Sequence, residues 1–147
     1  MSSVHKFSSN SSPFSNFYNF PVEYDGMCFR TSENAYQAAK TLDLKLRESF
    51  VDINPRQTKN KGRQLELRAD WEEVKYSVMF EILKNKFSDS ELRSVLLDTG
   101  DAEIVEDTTG WHDNIWGNCD CEKCRDIEGQ NLLGKALMAV RGEMRSI

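Results

Sequence analysis

The chain has 147 residues, with 19 Lys+Arg against 24 Asp+Glu and a formal charge of −5. A single domain of that size buries roughly two thirds of the surface its unfolded chain exposes, so its core needs no staples. With 39% hydrophobic and 29% charged residues, 8 Gly and 3 Pro, the composition excludes a disordered, collagenous or low-complexity chain. No apolar run approaches the roughly 18 residues of a membrane span, and the opening MSSVHKFSSN has no apolar signal core. The expectation is one cytoplasmic domain over residues 1–147 without membrane association, its residues 1–12 a flexible N-terminus.

In chain order, residues 19–24 and 27–30 predict a hairpin around Asp25-Gly26, a pair suited to the left-handed turn that tight hairpins require. Thr31 or Ser32 caps a helix that begins near Glu33 and runs through NAYQAAKTLDLKLRES. Asn54-Pro55 starts a second helix over residues 55–67. Asp70 with Glu73 has the capping-box spacing, ahead of a helix bearing Trp71, Val74, Val78 and Ile82 and reaching about Phe87. Ser88 with Glu91 repeats the pattern before Leu92, Val95 and Leu96, and Gly100 suits a helix stop. Residues 102–106 form a short strand, and a last helix carries Leu133, Leu137, Val140 and Met144 on one stripe. The fold class is therefore mainly α with a few short strands. Between Asp107 and Gly129 the periodicity disappears, and a loop of that length in a compact domain is functional or is held by something.

Charge is unevenly placed. Residues 56–68 carry Arg56, Lys59, Lys61, Arg63 and Arg68 against Glu66 alone, whereas residues 98–128 hold ten carboxylates against Lys123 and Arg125. An anionic ligand is drawn to the first stretch, unless that stretch is merely a solvated helix face.

Three constellations bear on chemistry. Glu33, Tyr36, Gln37 and Lys40 recur at helical spacing, so one face presents an acid, a phenol, an amide and an amine; the plain alternative is an exposed polar stripe. The loop segment 108–117 places Trp111 and Trp116 around His112, Asp113 and Asn114, flat surfaces beside hydrogen-bonding groups, as a pocket for a ring needs; alternatively Trp116 plugs the core. Cys119, Cys121 and Cys124 supply three soft ligands for a structural zinc, with His112, Cys28 or a carboxylate as the fourth; reduced free thiols are the alternative. The acidic neighbours Asp120, Glu122 and Asp126 are expected to raise these thiols' pKa values and to disfavour a catalytic thiol. Phosphate-binding loops, GxGxxG turns, GxSxG elbows and HExxH are missing from the sequence, which removes kinase, dehydrogenase and elbow-hydrolase readings.

An ordered set of segments resembles the NADAR (YbiA-like) family: FSNF at 14–17, TSENAYQAAK at 31–40, Gly62-Arg63, and the helix with Trp71, Val74, Lys75, Val78 and Met79. Lys86-Phe87, Thr99-Gly100-Asp101, Glu106, Asp113 to Gly117, Gly129 to Gly134, Leu137-Met138 and Arg141 continue the set. The resemblance implies a YbiA-like helical fold and an N-glycosidase that hydrolyses a ribose C1′–N bond. The substrate is then either a phosphoribosyl intermediate of riboflavin biosynthesis or ADP-ribosylated guanine in nucleic acid, and catalysis requires no cofactor.

By matching position, Glu33, Lys40 and Asp113 become catalytic candidates, with Glu33 facing the sugar, Lys40 attacking C1′ or donating a proton, and Asp113 orienting water. Arg63 grips phosphate and Trp116 stacks on the base or ring. Asn16, Phe17, Tyr36, Gln37, Gly117 and Asn131 complete the expected substrate contacts. The tract CDCEKCRDIEG at 119–129 departs from the bacterial pattern, which is glycine-rich there. Two rivals remain at this point: a module that binds ADP-ribose or NAD without cleaving it, and a zinc-stabilised interaction domain.

Overall fold

The computed structural model describes residues 3–146, in the order β1 (Val4–Phe7), β2 (Val22–Tyr24), β3 (Met27–Phe29), α1 (Ser32–Ala38), α2 (Leu44–Glu48), α3 (Pro55–Arg63), α4 (Trp71–Lys86), α5 (Ser90–Leu97), β4 (Glu103–Glu106) and α6 (Leu132–Arg145). Helix makes up 41% of the chain and strand 11%, a mixed α/β arrangement more than a strictly mainly-α one. Among the described residues no helix is long and apolar enough to cross a membrane.

The β2–β3 hairpin forms as expected. Asp25 and Gly26 both take positive φ, 49° and 84°, which matches the twist of the flanking strands. The other sheet corrects the expected flexible terminus: residues 4–7 pair in parallel with β4, Val4 opposite Glu103 and Phe7 opposite Glu106. Met1 and Ser2, the start of that expected tail, lie outside the described residues. Phe7 is buried against Phe14, which packs on Phe87, so burial of apolar surface anchors the strand.

The long first helix is in fact two. Asp43 Oδ1 accepts from the backbone N–H groups of Lys45 and Leu46, capping a new helix, α2, after a break at residues 39–43. Buried Arg47 holds the corner by donating to the Thr41 carbonyl at 2.8 Å and pairing with Asp25. α3 starts at Pro55 behind an Asn54 cap, as expected, but stops at Arg63. Neither predicted capping box forms: Asp70 makes no capping bond and pairs with Arg68, and Asp89 rather than Ser88 caps α5. In both cases a neighbouring side chain offers a stronger or better-aimed partner.

The core is a helical layer. α4 packs on α6, α6 covers β4, and α1 is wedged between α3 and α4. Leu133, Leu137, Val140 and Met144 of α6 are buried as one stripe, facing Met79, Ile82 and Leu83 of the same core. Ala35, Ala38 and Ala39 are fully buried, and their small side chains let the neighbouring helices approach α1 closely. Lys86 is 1% exposed and donates to the Ser15 carbonyl at 2.9 Å, fastening the Phe14–Phe17 segment to α4. Burial pushes its pKa down to about 7.

Candidate active site

α1 owes its position to its first turn. Thr31 caps it by accepting from the Asn34 N–H, while the Asn34 amide donates to the carbonyls of Phe50 and Ile53, both at 2.9 Å. These bonds tie the helix start to the segment leading into α3. Asn16, expected to meet substrate, does structural work here. Its carbonyl accepts from the Glu33 N–H at 3.0 Å, and its side-chain oxygen accepts from Ser32 Oγ.

The face bearing Glu33, Tyr36 and Gln37 is buried, not an exposed stripe. Glu33 is 6% exposed and accepts from Gln37 Nε2 at 2.8 Å. Burial raises its pKa against the opposing pull of Gln37, Lys59 and Lys40. The Gln37 side-chain oxygen, Oε1, is buried with no protein partner and lies against Gly62 of α3. A Cβ at Gly62 would collide with the Gln37 side chain, so glycine is what allows α1 and α3 to meet here.

Lys40 lies just beyond the end of α1, yet its amine stays with the group, 5.7 Å from the Tyr36 ring centre. Burial is the main cause of its lowered pKa; Arg63 and Lys59 add to the effect and Glu33 opposes it. Arg63 is exposed at the end of α3, near enough for its charge to act on Lys40. Lys59, one turn earlier, acts on Glu33, Lys40 and Glu106 alike. Sequence reasoning counted it in the basic run but gave it no place in the site; its spacing of four from Arg63 was the available signal.

Glu106 was also left without a role. Burial, with the negative charges of Asp113 and Glu33, pushes its pKa up to about 7. It ends β4, and its N–H donates to Asn131 Oδ1 at 3.1 Å while Asn131 Nδ2 donates to the Ile104 carbonyl at 2.8 Å. Asn131, buried and at φ 48°, therefore holds the strand rather than facing a ligand. Gly117 is likewise a close-packing position, pressed on the Glu106 backbone.

The loop contributes the remaining wall. Asp113 Oδ1 accepts from the N–H groups of Ile115 and Trp116, each at 2.9 Å, and its charge is felt at Glu33, Tyr36 and Glu106. Trp116 is half-buried and edge-on to Tyr36, with centroids 5.1 Å apart, and Tyr36 also packs on Trp71. Trp116 is thus partly a plug, as the plainer expectation held. Phe17 stands apart, lining a cleft of about 290 Å³ with Asn10, Asn19, Arg30, Thr31 and Arg56. A wider cleft of about 720 Å³ is lined by Cys28 with Met27, Glu48 and Ile53, and Glu33, Lys40 and Asp113 line neither. The titratable groups and the clefts therefore lie at different places, and the gathering of perturbed acids and bases around Glu33 makes that cluster the candidate for chemistry.

His112, Cys119, Cys121 and Cys124 bring one ligand atom each to within 4.8 Å of one another, a group able to hold a metal ion. Cys28 is exposed on β3 and outside it. The expected uniform rise in thiol pKa does not occur: a hydrogen bond from Cys119 lowers that of Cys121, while burial raises that of Cys124.

Residues 4–145 match the NADAR domain family model. The chain belongs to the NADAR family. It is 39% identical to N-glycosidase YbiA of Escherichia coli over 135 residues, covering 89% of this chain and 80% of the relative. N-glycosidase Npun_R5314 of Nostoc punctiforme is 35% identical, with 91% and 86% covered. A riboflavin biosynthesis protein of Vibrio vulnificus, VVA0006, is 34% identical over 88% of this chain but only 35% of its own length. The NMR structure of E. coli YbiA superposes with a TM-score of 0.83 at 37% identity, covering 99% of this chain and 88% of that one.

Replacing Gly62 with Ala should drive Gln37 off Glu33 and separate α1 from α3. The expected loss is about 1–3 kcal/mol in denaturant unfolding; a variant as stable as the parent would show that the helix contact is not tight.

Proposed function

We propose that this NADAR-family chain is an N-glycosidase that cleaves the ribose C1′–N bond of a phosphorylated ribosyl pyrimidine, using its own side chains without a catalytic cofactor. The observation that carries the reading is a buried carboxylate, Glu33, sharing one electrostatic neighbourhood with a weakened amine, Lys40, and a second carboxyl group, Glu106, that is half-protonated near neutrality. Cleavage of such a bond builds positive charge at C1′ and negative charge on the departing nitrogen. A desolvated carboxylate stabilises the first, and a proton from Glu106 relieves the second.

While Glu33 stays ionised, Lys40, entering with the uncharged amine that its burial favours, is the nucleophile. Its nitrogen forms a bond to C1′ as the C1′–N bond to the base breaks, and the base leaves with the Glu106 proton. The C1′–O4′ bond of the adduct then opens, O4′ taking a proton from the nitrogen, to leave an iminium on Lys40. Water oriented by Asp113 adds to C1′, the amine leaves with its extra proton returning to Glu106, and the sugar departs as the free phosphorylated ribose. Lys59 and Arg63 suit the phosphate, and the exposed side of Trp116 suits the ring. The favoured substrate is a small molecule, since the relatives named for riboflavin biosynthesis share this domain and a net charge of −5 disfavours a broad nucleic-acid surface. A zinc ion at the His112 cluster would be structural in this scheme.

The defining assay is base release from a ribosylaminopyrimidine phosphate beside an ADP-ribosylated guanine oligonucleotide. Turnover of the first alone supports the reading, turnover of the second alone moves the substrate to modified nucleic acid, and calorimetric binding without product from either defeats catalysis. Glu33→Gln should keep the native circular dichroism and lose at least about a hundredfold in kcat; full activity would remove Glu33 from the chemistry. Borohydride added during turnover should trap a ribosyl adduct on Lys40 that Lys40→Arg cannot form, and its absence would leave Lys40 as a charged phosphate contact. Because Glu106 acts in its protonated form, which is populated below about pH 7 and lost above it, kcat should fall on the alkaline side of pH 7. Glu106→Gln should abolish that limb.

A further inference from the structure

The long loop contains an arrangement that hydrogen bonding cannot satisfy. The sulfur atoms of Cys119, Cys121 and Cys124 lie 3.4, 3.3 and 3.6 Å from a single atom, Nδ1 of His112. An imidazole nitrogen carries either one proton or one lone pair, so it serves one thiol, not three. Four ligands at the corners of a tetrahedron produce this pattern directly. With Zn–S near 2.3 Å and Zn–N near 2.0–2.1 Å, each sulfur falls about 3.6 Å from the nitrogen.

We infer that His112, Cys119, Cys121 and Cys124 bind one zinc ion in a closed tetrahedral site, and that the ion fastens the loop carrying Asp113 and Trp116. Three thiolates with one imidazole select a soft or borderline metal over magnesium or calcium, and the tetrahedral arrangement favours zinc. All four positions are taken by protein, which leaves no place for water or substrate and makes the site structural. On binding, three thiol protons go to solvent and Zn²⁺ gains three Zn–S bonds and one Zn–N bond, for a net charge of −1. No oxidant is involved, and the four cysteines are unpaired thiols beforehand.

The local backbone already serves this geometry. Cys124 N–H donates to the Cys121 carbonyl at 3.0 Å, the tight turn that lets a Cys-x-x-Cys pair face one centre. His112 takes a left-handed conformation, φ 59°, between the Thr108 carbonyl that accepts its N–H and the neighbouring Asp113. Cys119 and Cys124 are buried, Cys121 is half-buried and His112 is exposed, so the ion closes the outer side of the loop. Asn114 Oδ1 accepts from the Cys119 N–H, and Thr109 Oγ1 accepts from that of Asp120. Backbone bonds from Gln130, Asn131, Leu132 and Leu133 to the carbonyls of Asn114, Gly117, Ile115 and Trp116 hold the inner side of the loop, and the ion joins its outer segments directly beside Asp113.

Protein purified without chelator from zinc-supplied cells should contain about one zinc per chain, with X-ray absorption fitting three sulfurs near 2.3 Å and one nitrogen near 2.0 Å. Chelation should speed amide exchange across residues 113–119 by at least about tenfold, with α4 and α6 unchanged and zinc restoring protection. Less than about 0.2 zinc per chain with no uptake on titration, or a spectrum of nitrogen and oxygen ligands alone, would overturn the site. Zinc bound with unaltered exchange would overturn the fastening. Cys121→Ser should lower zinc content at least about fivefold; if that variant does not fold, the absorption spectrum of the parent decides. None of these readouts depends on glycosidase turnover, so a catalytically silent protein would leave the zinc site standing.

Discussion

A carboxylate kept out of water at the start of a short helix is the constraint on which this molecule turns. Burying Glu33 is costly unless something meets its charge, and the structure supplies Gln37 as a direct donor, with Lys59 and Lys40 nearby as cations. Gln37 and Lys40 come with α1 itself, whereas Lys59 reaches Glu33 only because α1 and α3 lie very close together. Alanines on α1, a glycine at position 62 and the Asn34 bonds to the carbonyls before α3 all serve that single approach. Gln37 cannot satisfy both its ends, and the orphaned Oε1 is the residual cost of directing the amide N–H at Glu33.

The opposite wall depends on a different element. Glu106 reaches the same neighbourhood only because β4 is clamped between β1 and the Asn131 side chain at the head of α6. Its raised pKa follows first from burial and then from the charges of Asp113 and Glu33 nearby. Acid and base roles thus separate through environment: a desolvated carboxylate beside cations on α1, and a proton-holding one beside anions on β4. The loop between them adds Asp113, whose charge acts on both carboxyl groups, and Trp116, which packs on Tyr36. The proposed zinc ion would give that loop the rigidity a site needs.

Several elements were legible in the sequence because their signals are local. Asp25-Gly26 fixed the hairpin turn, Asn54-Pro55 the start of α3, Thr31 the start of α1, and the apolar stripe of α6 its buried face. The Cys-x-Cys-x-x-Cys spacing marked a cluster of soft ligands, and of the expected fourth members the structure brings His112, not Cys28, to the group. Charges of Lys40 and Asp113 act on Glu33, and that of Arg63 acts on Lys40. Asn16, Gly117 and Asn131 were brought close too, but as fasteners of backbone.

What the sequence determined by itself was every feature whose cause lies within a few residues: caps, turns, periodic faces and ligand spacing. Tertiary structure alone decided the rest. Strand β1 forms because Val4 meets Glu103 across the whole fold, a pairing that four exposed-looking residues cannot announce. Lys59 and Glu106 joined the site because packing removed water from around them and set their charges against one another. Electrostatic consequences of burial depend on which distant segments arrive, and no local pattern encodes that arrival.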